Sequence, residues 1–270
     1  MEKLIINNLM NRNRRIWMAT LLFSIHCSLF ISPARAQVGE YRTDFAVGVN
    51  AGYMFNTIGF QPEVPQKSMG GLTAGLTFRY TCEKYFKSIC AIVAEVNYAQ
   101  LGWKEDILDR DDNPVYYADD TDMLNPLAYE RRINYIQIPL MARLGWGRER
   151  RGLQGFFQVG PQIGLFTSES TTTNVDASRP LKKKRVSSIV AQESMPVERS
   201  FDYGITGGAG IEFSIPKVGH FLLEGRYYYG LGNIYKNSKS DYFGKSNHGT
   251  IVVKLTYLYD IIRTKNDKIK

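Results

Sequence analysis

From residue 44 onward apolar and polar residues alternate, and a period of two is the mark of strands with one apolar face. Eight segments carry it. The first sets Phe45, Val47, Val49, Ala51 and Tyr53 against Asp44, Gly48, Asn50 and Gly52. The others fall at 72–80, 92–98, 136–144, 157–165, 201–213, 221–229 and 251–259. Short links (82–90, 147–152 and 216–219) alternate strictly with long ones at about 55–69, 104–130, 169–200 and 233–248. Short turns at one rim and long loops at the other predict an all-β fold: an eight-stranded antiparallel up-and-down transmembrane β-barrel.

Alternation alone does not say which face points outward. A soluble lipocalin-type barrel turns its apolar face inward. Two features favour apolar-out. The polar face is rich in glycine, which weakens a solvated strand but fits the narrow lumen of an eight-stranded barrel. Aromatic residues such as Tyr53, Tyr80, Tyr98, Trp103, Trp146, Phe201, Phe213, Tyr229 and Tyr259 gather near segment ends, as interfacial girdles do. The lumen face then carries Asp44, Glu95, Asp202, Glu212 and Glu224 with Arg79, Arg143, Arg226 and Lys254, a nearly neutral set. Charges in so narrow an interior must pair. A salt-bridged plug is expected, with no open channel.

The N-terminus changes the charge picture. Arg12, Arg14 and Arg15 precede an apolar stretch, 16–31, and Ala34-Arg35-Ala36 has the small-x-small cleavage pattern of an export signal. His26 sits where a lipobox has Gly or Ala, which disfavours lipid attachment at Cys27. Residues 1–36 hold five of the 34 Lys+Arg and one of the 26 Asp+Glu, so cleavage lowers the net charge from +8 to +4. That weakens a nucleic-acid reading, which needs a basic face on the mature domain. The expected organisation is a signal at 1–36, a barrel at 37–262 and a charged tail at 263–270.

Export leaves Cys82 and Cys90 as an even pair flanking a hairpin end, and an oxidising compartment predicts a disulfide between them. No GxSxG, HExxH, P-loop or GxGxxG motif occurs. The mature chain has only His220 and His248, predicted at opposite rims, so neither a catalytic site nor a cofactor is expected. In the acidic loop, Asp109, Asp111, Asn113 and Asp120 echo a calcium loop, but Pro114 stands where an EF-hand needs Gly. These four are weak metal candidates beside a solvated loop. Lys182, Lys183, Lys184 and Arg185 are candidate contacts to lipopolysaccharide phosphates, a partner protein or the acidic neighbouring loop.

Asn134-Tyr135-Ile136-Gln137-Ile138-Pro139-Leu140 resembles the strand signature of the PorT-type outer-membrane β-barrels of Bacteroidetes. Gly160-x-x-x-Gly164, Asp202-x-Gly204, Gly208-x-Gly210-x-Glu212, Glu224-x-Arg226-Tyr227 and Gly230-Leu231-x-Asn233-Ile234 are similar too, so the likeness spans about 134–234. It implies a barrel in the outer membrane with both termini periplasmic, and an association with type IX protein secretion. The long charged loops and the tail 263–270 depart from it. The expectation is a non-enzymatic scaffold or accessory factor, in contact with lipopolysaccharide and with secretion-machinery or other envelope proteins. The alternative is a surface adhesin or ligand-binding barrel using 104–130 and 169–200.

Overall fold

The computed structural model describes residues 40–264 apart from 86, 149, 177 and 236–241. The expected signal with its cleavage point at Ala36, and the tail beyond Thr264, lie outside the described residues. The strands are β1 (Glu40–Gln61), the two-residue β2 (Gln66–Lys67), β3 (Met69–Tyr85), β4 (Ser88–Glu105), β5 (Tyr129–Gly147), β6 (Gly152–Thr173), β7 (Phe201–Ile215), β8 (Gly219–Gly230) and β9 (Lys245–Ile262). One helical turn, α1 (Ala191–Ser194), lies between β6 and β7. Each long strand pairs antiparallel with its neighbours in sequence, and β1 pairs with β9 to close a ring of eight. β2 only extends the edge of β4, through Gln66↔Glu105 and Lys67↔Lys104.

The apolar face points outward. Val49, Leu76, Leu140, Ile205, Leu223 and Leu255 are exposed on the outside. Between them Asn50, Thr77, Gln137, Thr206, Glu224 and Lys254 are buried inside. The outer band runs for about nine residues along each strand, for example from Ile251 to Tyr259, which is the length a tilted strand needs to cross a bilayer. In lipid this surface carries no hydrophobic penalty, whereas in water it would cost ~25 cal/mol for each Å².

Above the band the pattern inverts. In β4 the inward side chains change from Glu95 and Asn97 to Ala99, Leu101 and Trp103, while Lys104 faces out. In β1 Met54, Ile58 and Phe60 turn inward, and in β5 Tyr129, Ile133 and Tyr135 do so. Strands that leave the bilayer have water outside, so polar residues face out and apolar ones form a core within. This is why the strands outrun their expected ends: β1 continues to Gln61 and β5 starts at Tyr129. The long loops shrink to 62–68, 106–128, 174–200 and 231–244.

Glycine is required where strands approach most closely. At the β1–β9 seam a Cβ on Gly48 would lie 1.7 Å from the Tyr257 carbonyl oxygen. Gly147 (φ +131°) and Gly152 (φ +104°) bracket the short turn between β5 and β6 in a conformation that favours glycine.

Candidate functional site

The barrel interior is filled by two layers of charge. In the central layer Glu95 accepts from both terminal nitrogens of Arg226 at 3.0 Å each, and from Lys254 Nζ at 2.5 Å. Glu224 accepts from the same Arg226 at 2.6 Å, and from Gln158 Nε2 at 2.5 Å. Lys254 also lies 3.1 Å from Glu224. Asn97 donates to Glu95 at 2.8 Å. Two acids and two bases balance, which is what makes their burial tolerable.

The second layer lies toward the short turns. Arg79 reaches both oxygens of Glu212 at 2.9 Å, and Arg143 donates to Glu212 as well. The Arg143 guanidinium sits 3.7 Å from the centre of the Phe156 ring. His220 bridges two carboxylates: its Nδ1 is 2.7 Å from Glu212 and its Nε2 is 2.9 Å from Asp260. At the rim Asp44 accepts from the Thr264 amide at 2.5 Å and faces Arg150 at 3.6 Å. Asp202 stands apart near the other end, accepting from the Tyr228 hydroxyl at 2.7 Å.

The nine expected lumen residues thus sort into a central four, a lower three and two outliers. His220, Asp260, Arg150, Tyr228 and Gln158 join them; the last two were expected on the polar face but outside the charge network. Four of the five can be read from the sequence. His220 and Tyr228 share the parity of Glu224 and Arg226, Asp260 shares that of Lys254, and Gln158 lies on the polar face of its segment. Arg150, in a turn, gave no such signal. His220 and His248 lie at opposite ends of the barrel, and His220 is buried between Glu212 and Asp260 at the short-turn end.

The Ser214 hydroxyl is 2.8 Å from His220 Nδ1, so Ser214, His220 and Asp260 form a hydrogen-bonded row. The same Nδ1 that faces the Ser214 hydroxyl also faces the Glu212 carboxylate at 2.7 Å. The row links β7, β8 and β9 at the short-turn end of the lumen.

The long loops are not solvated strings. With the adjoining strand ends they close the long-loop end of the lumen around an apolar core that includes Phe60, Leu101, Trp103, Tyr129, Tyr235 and Phe243. The third loop inserts α1 into the mouth. Gln192 is fully buried and donates to Glu105 at 2.9 Å. Its carbonyl accepts from Arg131 at 3.3 Å, and Arg131 also donates to the Met195 carbonyl. Tyr117 of the second loop donates to the Asn174 carbonyl at 2.8 Å, and Arg179 lies 3.9 Å over its ring.

The charged loops neutralise one another. Lys183 Nζ lies 2.9 Å from Asp109 and 2.8 Å from Asp111, where a metal ion was the alternative. That contact holds the Asp109 carboxyl below its ordinary range and the Lys183 ammonium above its own. Asp109 also caps the amides of Asp111 and Asn113, and Asp120 accepts from the Asn125 amide. Among the described residues no group of His, Cys, Asp and Glu is arranged to hold a metal. Lys183 thus stands against two of the four weak metal candidates, Asp109 and Asp111. Arg185 pairs with Glu193 at 2.7 Å and Glu105 at 3.3 Å, while Lys182 and Lys184 stay exposed. Burial pushes Glu105, which stands in the cap above the bilayer, up to about 7.

The expected disulfide is also corrected. Cys82 and Cys90 are free thiols. The ladder slips between Thr81 and Glu83, so Cys82 falls in a bulge and Cys90 pairs with Glu83.

A closed, eight-stranded barrel with an apolar belt, a salt-bridged lumen and a folded cap defines a small outer-membrane barrel. The chain belongs to the outer membrane protein β-barrel domain family, whose model matches residues 35–236. Solved structures similar to it include OprG from Pseudomonas aeruginosa, at 13% identity and TM-score 0.40, over 82% of this chain and 98% of that one. Neisserial surface protein A is similar at 10% identity and TM-score 0.36, over 79% and 96%. Ail, the attachment invasion locus protein of Yersinia pestis, is similar at 11% identity and TM-score 0.31, over 82% and 99%. Comparison with curated proteins finds no match.

Proposed function

We propose that this is a non-enzymatic outer-membrane barrel that holds a folded recognition head at the cell surface, as a scaffold or accessory factor of an envelope assembly. The observation that carries the reading is the cap. Loops 106–128 and 174–200 are tied by Lys183, Arg179 and Tyr117 and share one apolar core with the outer barrel. A rigid surface binds without first paying for its own ordering. The lumen beneath is filled with paired charge, which argues for support rather than transport. His220, held between two acids, argues against acid–base catalysis.

The PorT-type likeness over 134–234 supports type IX secretion as the assembly served. With the cap outside, the short turns and both termini are periplasmic, following export and cleavage near Ala36. Exposed Lys182 and Lys184 suit lipopolysaccharide phosphates, while Lys183 and Arg185 serve the cap itself. The second reading is a surface adhesin, favoured by the same outward-facing head.

The test replaces 106–128 and 174–200 by short Gly-Ser turns in the full chain. The expected variant still fractionates with the outer membrane and shifts on boiling in a mobility gel, but loses its in-cell crosslinks. Crosslinks to periplasmic or secretion components support the accessory role; crosslinks confined to added surface ligands support the adhesin. A variant that no longer inserts overturns both, because the loops would then serve the barrel.

A further inference from the structure

Above the belt the barrel wall is uneven in height. β6 pairs with β5 as far as Thr173↔Tyr129, but its pairing with β7 stops at Leu165↔Phe201. The last bond on that side runs from the Phe166 amide to the Ser200 carbonyl at 2.8 Å. Beyond it the chain ahead of β7 turns away, and the Glu198 and Arg199 amides donate instead to the Ile234 carbonyl at 3.2 Å. The outer ends of β4, β5 and β6 therefore stand as a sheet of three with two edges. β2 covers the β4 edge, through Gln66↔Glu105 and Lys67↔Lys104. Among the described residues nothing pairs with the β6 edge over 168–173.

After a slip at Asn134/Tyr135 those residues keep unbroken register with β5, from Ser168↔Asn134 to Thr173↔Tyr129. All but Glu169 are exposed, and Glu169 is turned to Arg131 at 3.3 Å. In an antiparallel ladder alternate residues bond to opposite neighbours, so roughly three residues here offer their N–H and C=O groups to the open side. Natural proteins blunt such edges with lysine, proline or brevity. Ser168-Glu169-Ser170-Thr171-Thr172-Thr173 contains neither lysine nor proline, and threonine favours the strand.

Unused N–H and C=O groups alternating at strand spacing are matched by another extended backbone. The edge is roughly 20 Å long and one strand wide. That is far below the ~800 Å² per partner of a stable contact between folded domains, so a single strand fits it. A second copy in the same bilayer would bring β6 alongside itself in parallel, the weaker pairing.

We propose that 168–173 takes up one extended segment of a partner polypeptide as an added antiparallel strand. Backbone bonds then supply the affinity, and the exposed serine and threonine side chains leave the segment's sequence loosely specified. The inference rests on reading the capped end as the recognition part, and names the form of partner it takes.

The full chain in lipid nanodiscs, ¹⁵N-labelled, is titrated with a capped heptapeptide of alternating threonine and valine. The comparator carries proline at two adjacent central positions, which removes a donor from each of its edges. The expected result is saturable shifts centred on 168–173, with amide exchange slowed at least tenfold at alternate residues there and at least tenfold weaker binding of the comparator. Adjacent amides point opposite ways, so of S170P and T171P one strikes the open edge and the other the β5 ladder. The variant that leaves the β5 signals in place is expected to bind the peptide at least tenfold more weakly. Failure to saturate, a comparator that binds as tightly, or a peptide held by both variants overturns the proposal. Protection of the edge that rises with protein concentration in the free chain assigns it to a second copy and overturns the proposal too. The crosslinking experiment varies loops 106–128 and 174–200 and reads out separately, so an edge that stays empty does not decide the recognition reading.

Discussion

Glu95→Gln is the substitution that best tests whether the lumen is held by charge balance. Glu95 accepts four bonds: two from Arg226, one from Lys254 and one from Asn97. Its two bases share only one other acid, Glu224. The variant keeps the shape and one acceptor oxygen but leaves the layer with an unbalanced positive charge. Removing one partner of a buried ion pair costs about 3–5 kcal/mol, and the retained amide puts this variant near the lower figure. With a urea slope of about 2 kcal/mol per molar, the unfolding midpoint in lipid vesicles should fall by roughly 1.5 M. Tryptophan fluorescence and the boiling-dependent gel shift both report the transition. Adding Lys254→Met restores neutrality around Glu224 and Arg226, so the double variant should regain ~2 kcal/mol through coupling. A single variant within about 0.5 kcal/mol of the parent, or a double variant no more stable than the single, would refute the reasoning.

Two further outcomes follow from the seam and the cap. Gly48→Ala drives a methyl against the Tyr257 carbonyl where β1 meets β9, and neither backbone can yield. It should cost about 1–3 kcal/mol in the same urea assay, whereas Gly155→Ala and Gly225→Ala, with nothing within 4 Å, should be neutral. Burial raises Glu105 from 4.5 to about 7, so the closed cap holds its proton more tightly than the open loops do. The Glu105 contribution to cap stability should therefore be complete below pH 4.5 and be lost as pH rises through about 7. Limited proteolysis of the loops, corrected on an unfolded substrate, should run slower at pH 5 than at pH 7.5, and Glu105→Gln should remove the difference. Equal rates in the parent would contradict the assignment.

The part of the fold legible in the sequence was the part the bilayer dictates. Lipid on one side and a narrow polar lumen on the other force every second residue to be apolar, so segments such as 251–259 announce both strand and facing. The strict alternation of short and long links likewise fixed the up-and-down order. The outer ends of the strands escaped because the same period continues with its faces exchanged. Ala99, Leu101 and Trp103 keep the parity of Glu95 and Asn97, and only their polarity changes. Read against a single facing rule, that change looks like the end of a strand.

Pairing was beyond reach for a different reason. Period two says which side chains point inward but not which meet, because that depends on strand register around the closed ring. Closure brings Arg226 to Glu95 across 131 residues and Lys254 to it across 159. It also puts Lys183 of one loop on Asp109 and Asp111 of another: the sequence offered the acidic loop as one of several partners for the basic run, and only the structure names the residues that meet. The sequence by itself determined the barrel and its facing, because those follow from local alternation against two solvents. The tertiary structure alone decided the charge layers and the cap, because each is made by contacts between distant strands that no local period encodes.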